Sequence, residues 1–505
     1  MHFAVLPDVR AMGHPDAPSV ADDSVSLSNA GFLAWVDAAA ACLRRRGVGS
    51  GDVVAVMLPN RVDFVVALFA AWRLGAVVTP VNPALTATEA GYQIADSAAK
   101  VVIRLDGGPA LAAEEIGVAD LLSGVEPADS AGLVNCARKN AGSRQHPAPG
   151  DAEALALLIY TSGTTGRPKG VMLSHANLSA MATMMVQTSR LGEDEHSLLV
   201  LPLFHVNGIV VSVLSPLLAG GRVTVSGRFK ADTFFQTVEA VRPTCFSAVP
   251  TIFATLTALP ESQRPDTSSV RFAACGAAPM PAQLIERFES RYGIPVVEGY
   301  GLSEGTCAST VNPVDGLRKP GTVGLPMPGQ EVAVMDASGG LLPRGSTGEV
   351  VVRGPNVMRG YLNRPEETAR TVVDGWLHTG DVGRFDEDGY LMIVDRIKDM
   401  IIRGGENIYP KEIESVLYGH PEVFEAAVVG ATHDVLGEVP VAFVALRPDA
   451  AVTAESLVEH CRGSLSRYKL PDRVIALESL PKNPVGKIDK PTLRTRLASS
   501  ASPAA

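Results

Sequence analysis

Short apolar runs alternate with segments of helical spacing along the first 320 residues. Residues 53–58 and 76–80 are apolar runs of strand length, and residues 63–74 between them repeat their apolar positions at helical spacing. The same alternation returns at 88–97 and 101–105. Strand, helix and strand in this order predict a parallel sheet whose strands are joined by right-handed crossovers.

Further elements of the same kind are expected up to residue 300. Residues 106–150 interrupt these elements. This stretch is rich in Gly, Ala, Pro and Asp, which predicts an irregular segment. The pattern predicts helices at 30–48, 174–187 and 231–241 and strands at 155–159, 197–201, 222–226, 245–249, 270–275 and 295–298.

The pattern changes after residue 320, where Gly and Pro separate short strands at 331–335 and 348–353 and a hairpin turn is expected at 386–389. The elements predicted beyond it are helices at 411–418 and 454–465 and strands at 425–430 and 439–446. We therefore predict an α/β protein with a large N-terminal domain of αβ-layered subdomains, a small β-rich subdomain and a small α+β C-terminal domain. We place the boundary at 395–399, which gives domains 1–395 and 396–505.

The uncharged stretch 198–221 has the length of a membrane span. Pro202, His205, Asn207 and Pro216 interrupt it, so we expect a buried strand, a loop and a helix, and no transmembrane segment is predicted.

Composition narrows the class of ligand and the compartment. The formal net charge is −10 without any basic block, which argues against nucleic acid as the main ligand. The six cysteines are scattered without a C-x-x-C pair, so neither a disulfide frame nor a zinc site is expected and a reducing, cytoplasmic setting is predicted. The N-terminus shows no signal peptide.

Residues 160–170, Tyr-Thr-Ser-Gly-Thr-Thr-Gly-Arg-Pro-Lys-Gly, form the most informative stretch of the chain. They follow an apolar run, so they are expected to form a loop at a strand end. Glycines let several backbone N–H groups point inward together, the hydroxyls add donors, and Lys169 supplies a positive charge. We predict that this loop binds a phosphate chain. It is not a Walker loop, because the G-x-x-x-x-G-K-[ST] spacing is absent.

This loop resembles the phosphate-loop signature of the adenylate-forming superfamily, which includes acyl-CoA synthetases, the adenylation domains of peptide synthetases, and luciferases. Other motifs of that superfamily recur in its order, so the resemblance covers most of the chain. It implies an enzyme that uses ATP and Mg²⁺ to activate a carboxylic acid, with CoA as co-substrate. It assigns the phosphates to Thr161, Ser162, Gly163, Thr164, Thr165, Gly166 and Lys169, and it counts Thr161 among the catalytic residues.

The motifs near residues 276 and 300 match the superfamily's adenine and metal positions. Gly276, Ala277 and Ala278 match the loop that packs against adenine, Tyr300 matches the residue that stacks on it, and Glu304 matches the acidic Mg²⁺ ligand. A carboxylate suits this role because Mg²⁺ is held by few carboxylates together with nucleotide phosphates. The resemblance also implies ATP contacts for Glu298, Gly299, Gly301 and Ser303.

His205 matches the position whose ring borders the substrate carboxylate and the ATP phosphates, and the resemblance implies a catalytic role for it. A histidine at a predicted strand end within a motif favours function over a structural role. The residues expected to line the acyl pocket are Asn207, Val210, Val249, Gly301 and Leu302.

Motifs near the domain boundary match the superfamily's ribose and hinge positions. Asp381 matches the ribose-binding aspartate, Arg396 matches its arginine partner, and Lys398 occupies the hinge about which the mobile C-terminal domain swings. Beyond the hinge, Gly404 and Gly405 resemble the loop presented to the pantetheine tunnel after that swing.

Lys487, within the motif at 481–490, matches the catalytic lysine that also contacts ATP. The resemblance implies two half-reactions. In the first, the carboxylate attacks the α-phosphorus of ATP and expels pyrophosphate. In the second, the C-terminal domain rotates about Lys398, withdraws Lys487, and a thiol attacks the acyl-adenylate.

The segments expected to form the acyl pocket, 206–214, 246–252 and 301–307, are mostly apolar and contain no Arg or Lys. A second carboxylate would be costly to bury there unpaired, which disfavours malonate-like acids. We therefore expect a short- to medium-chain aliphatic monocarboxylic acid, with an aromatic acid as the alternative.

Three other readings differ in the acceptor or in the class of protein. The acceptor could be an acyl-carrier protein instead of CoA. A peptide-synthetase adenylation domain is disfavoured, because the only acidic residue of the pocket segments, Glu304, is already assigned to Mg²⁺. A non-catalytic nucleotide-binding regulator is disfavoured by the intact Lys169, Asp381 and Lys487.

Overall fold

A computed structural model describes residues 2–106, 111, 113–123, 151–161, 167–278, 280–448, 450–482 and 488–500. In this part of the chain the strands form four sheets. Two large, mostly parallel sheets belong to the N-terminal domain, a smaller antiparallel sheet follows them, and the fourth sheet lies in the C-terminal domain.

The first large sheet has seven strands, and its centre is parallel. Strand Val53–Met57 pairs in parallel with Val77–Pro80 and with Ala99–Arg104, which confirms the predicted parallel arrangement. The helix Val62–Arg73 between the first two strands is almost wholly buried, as its apolar residues on every face require. In spatial order the strands are Gly360–Tyr361, Lys169–Ser174, Leu155–Thr161, Val77–Pro80, Val53–Met57, Ala99–Arg104 and Glu114–Gly117.

The second large sheet has nine strands, and six consecutive ones are parallel. Carboxyl ends of adjacent parallel strands meet at one edge of a sheet, and this edge is where ligands bind in open α/β sheets. In spatial order the strands are Leu325–Pro326, Thr310–Val311, Val296–Tyr300, Phe272–Cys275, Cys245–Ala248, His196–Leu199, Arg222–Val225, Pro18–Ala21 and Ser26–Ser28.

Helices cover these sheets, and some of them begin with a side-chain cap. Thr86 and Glu89 form a reciprocal capping box at one helix start, and Ser174 with Asn177 forms another. The helices are Leu6–Gly13, Asn29–Arg45, Val62–Arg73, Ala87–Asp96, Val118–Leu121, His175–Thr188, Val206–Ile209, Ser215–Leu218, Ala231–Val241, Pro250–Thr257, Ala282–Tyr292, Pro365–Thr371, Pro410–Tyr418, Ala454–Arg462 and Lys490–Ser500. Single-turn 3₁₀ segments lie at Phe3–Val5, Ser303–Gly305, Ile397–Asp399 and Arg467–Lys469, and a π-helical turn spans Val210–Leu214.

The two smaller sheets flank the 3₁₀ segment Ile397–Asp399. The one before it contains Glu331–Met335, Gly348–Arg353, Val372–Val373, Trp376–Phe385 and Leu391–Arg396. The one after it contains Ile401–Arg403, Glu406–Ile408, Val423–His433, Gly437–Leu446 and Arg473–Leu477. Two apolar clusters within residues 401–497 form the core of the C-terminal domain.

Most predicted elements are confirmed, and helix 231–241 and strands 331–335 and 348–353 have the predicted bounds. Stretch 198–221 is a strand end, a loop and a helical segment, as expected. None of the helices in the described ranges is both long and apolar enough to span a bilayer.

The prediction missed the strand Lys169–Ser174, which pairs antiparallel with Leu155–Thr161. The predicted phosphate loop therefore joins two strands of a hairpin. This strand begins directly beside the Gly and Pro residues of the loop. The apolar pattern therefore does not reveal it.

Candidate active site

The ends of the predicted phosphate loop lie opposite each other in the antiparallel pair, Thr161 facing Lys169. The Lys169 ammonium pairs with the Glu367 carboxylate and lies 5.1 Å from the centre of the Tyr361 ring. Ser162, Gly163, Thr164, Thr165 and Gly166, which the sequence assigns to the phosphates, lie outside the described residues.

Tyr361 connects the phosphate loop to the predicted metal ligand. Its hydroxyl donates a 2.9 Å hydrogen bond to Oε1 of Glu304, while its ring lies beside the Lys169 ammonium. Burial raises the pKa of Tyr361 and the Glu304 carboxylate raises it further, so the phenol stays protonated and donates. The structure thus brings Lys169 and Glu304 close to the same tyrosine.

Glu304 lies in the single 3₁₀ turn Ser303–Gly305, which follows Gly301. A side chain at Gly301 would place its Cβ 1.9 Å from the Cys307 carbonyl oxygen, so glycine is required for this turn to close. The turn is fixed from outside by the Met358 N–H, which donates to the Glu304 carbonyl at 2.8 Å. Glu304 is a hard oxygen ligand with one oxygen already oriented by Tyr361, and this chemistry fits Mg²⁺.

The predicted adenine-binding residues follow two adjacent parallel strands. Gly276, Ala277 and Ala278 leave the strand Phe272–Cys275, and Glu298 to Tyr300 end the strand beside it. A Cβ at Gly276 would lie 3.6 Å from the Gly299 carbonyl oxygen, so the two segments are in close contact. Ala277 has a φ of +70°, an unusual backbone conformation for alanine that concentrates at functional sites.

Asp381 connects the strand that carries Tyr300 to Arg396, which precedes the predicted hinge. The Tyr300 hydroxyl donates to its Oδ2 at 2.7 Å, and Nε of Arg396 lies 2.9 Å from its Oδ1. Asp381 is buried, and Tyr300 has a pKa well above its ordinary value because of burial and the nearby Asp381 charge. The resemblance-based pairing of Asp381 with Arg396 is therefore confirmed as a contact.

Glu349 stabilises the turn that precedes Asp381. Its Oε1 accepts the Gly380 N–H at 2.9 Å, and its Oε2 contacts Nδ1 of His378 at 2.8 Å. Gly380 has a φ of +70°, which glycine adopts without strain.

Glu298 is a buried carboxyl group with incomplete hydrogen bonding. Its Oε1 accepts the Met280 N–H at 3.2 Å, whereas its Oε2 finds no partner within the described ranges. Burial raises the pKa of Glu298 to about 7, and the Met280 bond and the Lys411 charge only partly oppose that effect. Such perturbed groups concentrate at functional sites.

His205 immediately precedes the helix Val206–Ile209, at the carboxyl edge of the second sheet. Asn60 holds the segment before it: its Nδ2 donates to the carbonyls of Leu201 and Ser226, and its Oδ1 accepts the Leu203 N–H. The His205 ring contacts the Phe204 ring at 4.6 Å between centres.

The residues expected to line the acyl pocket come from neighbouring segments at this edge. The Ser247 hydroxyl donates to Oδ1 of Asn207 at 3.0 Å, which joins the first two segments. Val210 is fully buried, whereas Val249 is partly exposed where its strand gives way to the helix Pro250–Thr257. Gly301 and Leu302, both partly exposed, follow the strand Val296–Tyr300.

The residues predicted to form the hinge and to reach the tunnel lie near the start of the C-terminal domain. Lys398 is exposed within Ile397–Asp399. Gly404 and Gly405 form the turn of the hairpin between Ile401–Arg403 and Glu406–Ile408, and both have positive φ. Lys487 lies outside the described residues.

Sequence reasoning missed Asn60, Glu349, Tyr361 and Lys411, which contact or support the predicted site residues. No local motif contains them. Each acts through a contact between segments distant in the chain, and only the folded structure supplies that contact.

Comparison with known proteins gives consistent matches over nearly the whole chain. Residues 8–362 match the family described as AMP-binding enzyme, and residues 412–487 match the AMP-binding enzyme C-terminal domain. A probable CoA ligase, CCL9 from Humulus lupulus, is 38% identical over 474 residues, covering 92% of this chain and 90% of that protein.

Two further relatives have named substrates. An oxalate–CoA ligase from Arabidopsis thaliana is 38% identical over 464 residues, covering 88% of each chain. A feruloyl-CoA synthase from Amycolatopsis sp is 38% identical over 488 residues, covering 96% of this chain and 97% of that protein.

The solved structure of ATP-bound MatB from Rhodopseudomonas palustris superposes with a TM-score of 0.88 at 33% identity, covering 99% of this chain and 100% of that one. The apo structure of the same protein gives a TM-score of 0.78 at 32% identity, covering 99% of each chain. The arrangement described here is therefore more similar to the ATP-bound form.

Proposed function

This chain belongs to the AMP-binding enzyme family, within the adenylate-forming superfamily, and we propose that its substrate is a short- to medium-chain aliphatic monocarboxylic acid. It is an ATP-dependent, AMP-forming acid–CoA ligase. The acceptor thiol is therefore taken to be CoA rather than an acyl-carrier protein.

The proposed class of acid rests on the chemistry of the pocket segments. Segments 206–214, 246–252 and 301–307 contain no Arg or Lys, and Asn207 and Ser247 are paired with each other. A buried carboxylate needs a cation or several donors to offset its lost hydration. A monocarboxylic acid keeps its single charge at the reacting end, where ATP and His205 are expected, and leaves only apolar carbon for the pocket.

The relatives act on chemically different acids, so their names do not decide the substrate of this chain. The oxalate ligase acts on a dicarboxylic acid, and the pocket segments here offer no cation for a second carboxylate. The feruloyl-CoA synthase acts on an aromatic acid, and its 38% identity keeps an aromatic monocarboxylic acid as the second candidate.

The residues of this chain mainly align two anions and offset their repulsion. Lys169 and the phosphate loop are proposed to hold the ATP phosphates, and Asp381 is proposed to accept hydrogen bonds from both ribose hydroxyls. Tyr300 and Arg396 fix the Asp381 carboxylate for this purpose. His205 is proposed to border the acid carboxylate.

Glu304 would hold Mg²⁺, because it is a carboxylate whose orientation Tyr361 fixes at the phosphate-loop side of the site. When bound with ATP, the ion would neutralise phosphate charge during attack at the α-phosphorus. Lys487 is proposed to add a further positive charge during this step only.

The test is mass spectrometry of the products formed with MgATP, CoA and equal amounts of aliphatic, aromatic and dicarboxylic acids. We expect acyl-CoA from the aliphatic monocarboxylic acids to predominate. Predominant feruloyl- or benzoyl-CoA would select the aromatic candidate, and predominant oxalyl-CoA would overturn the argument from pocket charge. Acyl-adenylate without thioester would indicate a carrier-protein acceptor.

A further inference from the structure

Lys411 occupies a position that its own helix does not favour. It is the second residue of the helix Pro410–Tyr418, where the helix dipole presents positive charge. A lysine there is mildly unfavourable for the isolated helix, and its side chain is partly buried. Its presence therefore needs an explanation outside the helix.

Two hydrogen bonds of Lys411 reach across the domain boundary. Its Nζ donates to the Ile393 carbonyl at 2.6 Å, and its backbone N–H donates to Oδ2 of Asp395 at 2.8 Å. Both acceptors lie on the strand Leu391–Arg396, before the hinge segment, whereas Lys411 lies after it. The bonds therefore join the two parts of the chain that meet at Lys398.

The charge of the Lys411 ammonium interacts with carboxylates on both sides of the domain boundary. Glu298, Asp381 and Asp395 belong to the N-terminal side and are all buried, and Glu414 lies one turn along its own helix. Burial lowers the pKa of Lys411, and these four carboxylates oppose that effect.

These four carboxylates do not depend equally on Lys411. Asp381 already has Arg396 and Glu414 has Lys490, whereas Glu298 has no ion pair and one unbonded oxygen among the described residues. Glu298 therefore depends most on the Lys411 charge, whereas Asp395 also faces the Lys490 charge and accepts the Arg396 and Lys411 backbone N–H groups.

We propose that Lys411 is a positioning residue that holds the C-terminal domain in the orientation for acid activation and releases it for thiol transfer. The proposal rests on the two-step reaction proposed above. Because Lys398 lies between the partners in the chain, a rotation there carries Lys411 away from Ile393 and Asp395. The present arrangement, with these bonds formed, is more similar to the ATP-bound MatB structure than to its apo structure.

The test measures the two half-reactions separately in the full-length protein. Acid-dependent exchange of pyrophosphate into ATP reports activation, and CoA-dependent consumption of synthetic acyl-adenylate reports thiol transfer. We expect Lys411→Met to slow activation about tenfold, the effect of losing one charge-assisted hydrogen bond, and to leave thiol transfer unchanged or faster. Lys411→Arg, which keeps the charge, should restore part of the activation rate.

Lys469→Met is the matched control. Lys469 pairs with Glu412, the residue next to Lys411, but both partners lie in the C-terminal domain. Both half-reactions should therefore stay near wild-type rates in this variant. Equal slowing of both half-reactions by Lys411→Met, or unchanged activation, would overturn the proposal.

Hydrogen–deuterium exchange provides a readout that needs no acid substrate. In the ATP-free protein, peptides covering 391–396 and 410–418 should exchange several-fold faster in Lys411→Met than in Lys469→Met. Equal exchange in the two variants would overturn the positioning role of Lys411, even if no acid in the panel were a substrate. Asp395→Asn, which keeps an acceptor but removes its charge, serves if Lys411→Met does not fold and should change the exchange in the same direction.

Discussion

Glu298 shows how a single buried group can set a pH dependence. It is almost fully buried beside the predicted adenine-binding residues, and its pKa is raised to about 7. The folded protein therefore binds more protons than the unfolded chain between about pH 4.5, the ordinary value, and pH 7. Stability should fall as the pH rises through this window and stay low above it.

Glu298→Gln removes this titration while preserving the shape of the side chain. We expect the variant to exceed the wild type in stability at pH 8, by on the order of 2 kcal/mol, and to match it near pH 5. Thermal or urea unfolding at both pH values measures the difference.

Glu286→Gln, an exposed change on the neighbouring helix Ala282–Tyr292, is the control and should change little at either pH. A Glu298→Gln variant that is less stable at pH 8 would show instead that the fold, through charges such as that of Lys411, stabilises the ionised form of Glu298.

The catalytic role of Lys487 is assigned from the sequence alone. We expect Lys487→Ala to slow activation by roughly a hundredfold or more, because a positive charge aimed at the transition state is lost. Thiol transfer from supplied acyl-adenylate should be spared. Lys482→Ala, in the same motif but paired with Glu425, is the control, and it should spare activation. Equal loss of both half-reactions in Lys487→Ala would contradict the assigned role.

At the scale of elements, the site depends on turns that follow strand ends. The turn 301–307 carries Ser303 and Glu304 and closes over its own backbone so tightly that only glycine fits at its start. Asn60, Glu349 and Tyr361 fix this turn and the neighbouring segments from other parts of the chain. The strands set the direction of these segments, and the three side chains fix the positions of the segments.

Gly301→Ala tests the turn. The added Cβ would meet the Cys307 carbonyl oxygen at 1.9 Å and the Ala308 Cα at 2.6 Å, so the backbone that carries Glu304 must move. We expect destabilisation of about 1–3 kcal/mol and at least a tenfold loss of activation. Gly227→Ala, where nothing lies within 4 Å of the added atom, is the control and should change neither quantity. A fully active Gly301→Ala variant would show that the turn is not rigid.

At the scale of the whole molecule, we propose that the chain divides at the predicted boundary into residues 1–395 and 396–505. Two apolar clusters are confined to residues 401–497, and Arg494 secures Asp399 of the hinge segment to the C-terminal helix at 2.6 Å. A domain with its own core can rotate as a unit, which is what two incompatible half-reactions require.

Expression of residues 397–505 alone tests this division. We expect a folded fragment with dispersed amide resonances and a cooperative thermal transition, because its core lies within it. A fragment that begins at residue 411 is the control: it lacks the strands that contribute buried Ile401 and Ile408 and should fold poorly. An unfolded 397–505 fragment would contradict the boundary.

The order and kind of most elements could be predicted from the sequence, and the resemblance supplied the candidate site residues. Period and polarity are local properties, so the parallel strands, the helix 231–241 and the strands 331–335 and 348–353 could be predicted from them. The resemblance likewise pairs Asp381 with Arg396, and these two side chains are in contact in the structure.

Tertiary structure alone decided which side chains from distant segments meet. Tyr361 reaches Glu304 across 57 positions, and Lys411 bonds Ile393 across the hinge. Burial, which sets the pKa of Glu298, also arises only when the sheets and the C-terminal domain close around it. The periodicity of residues within one element cannot predict such contacts, because they depend on how different elements pack together.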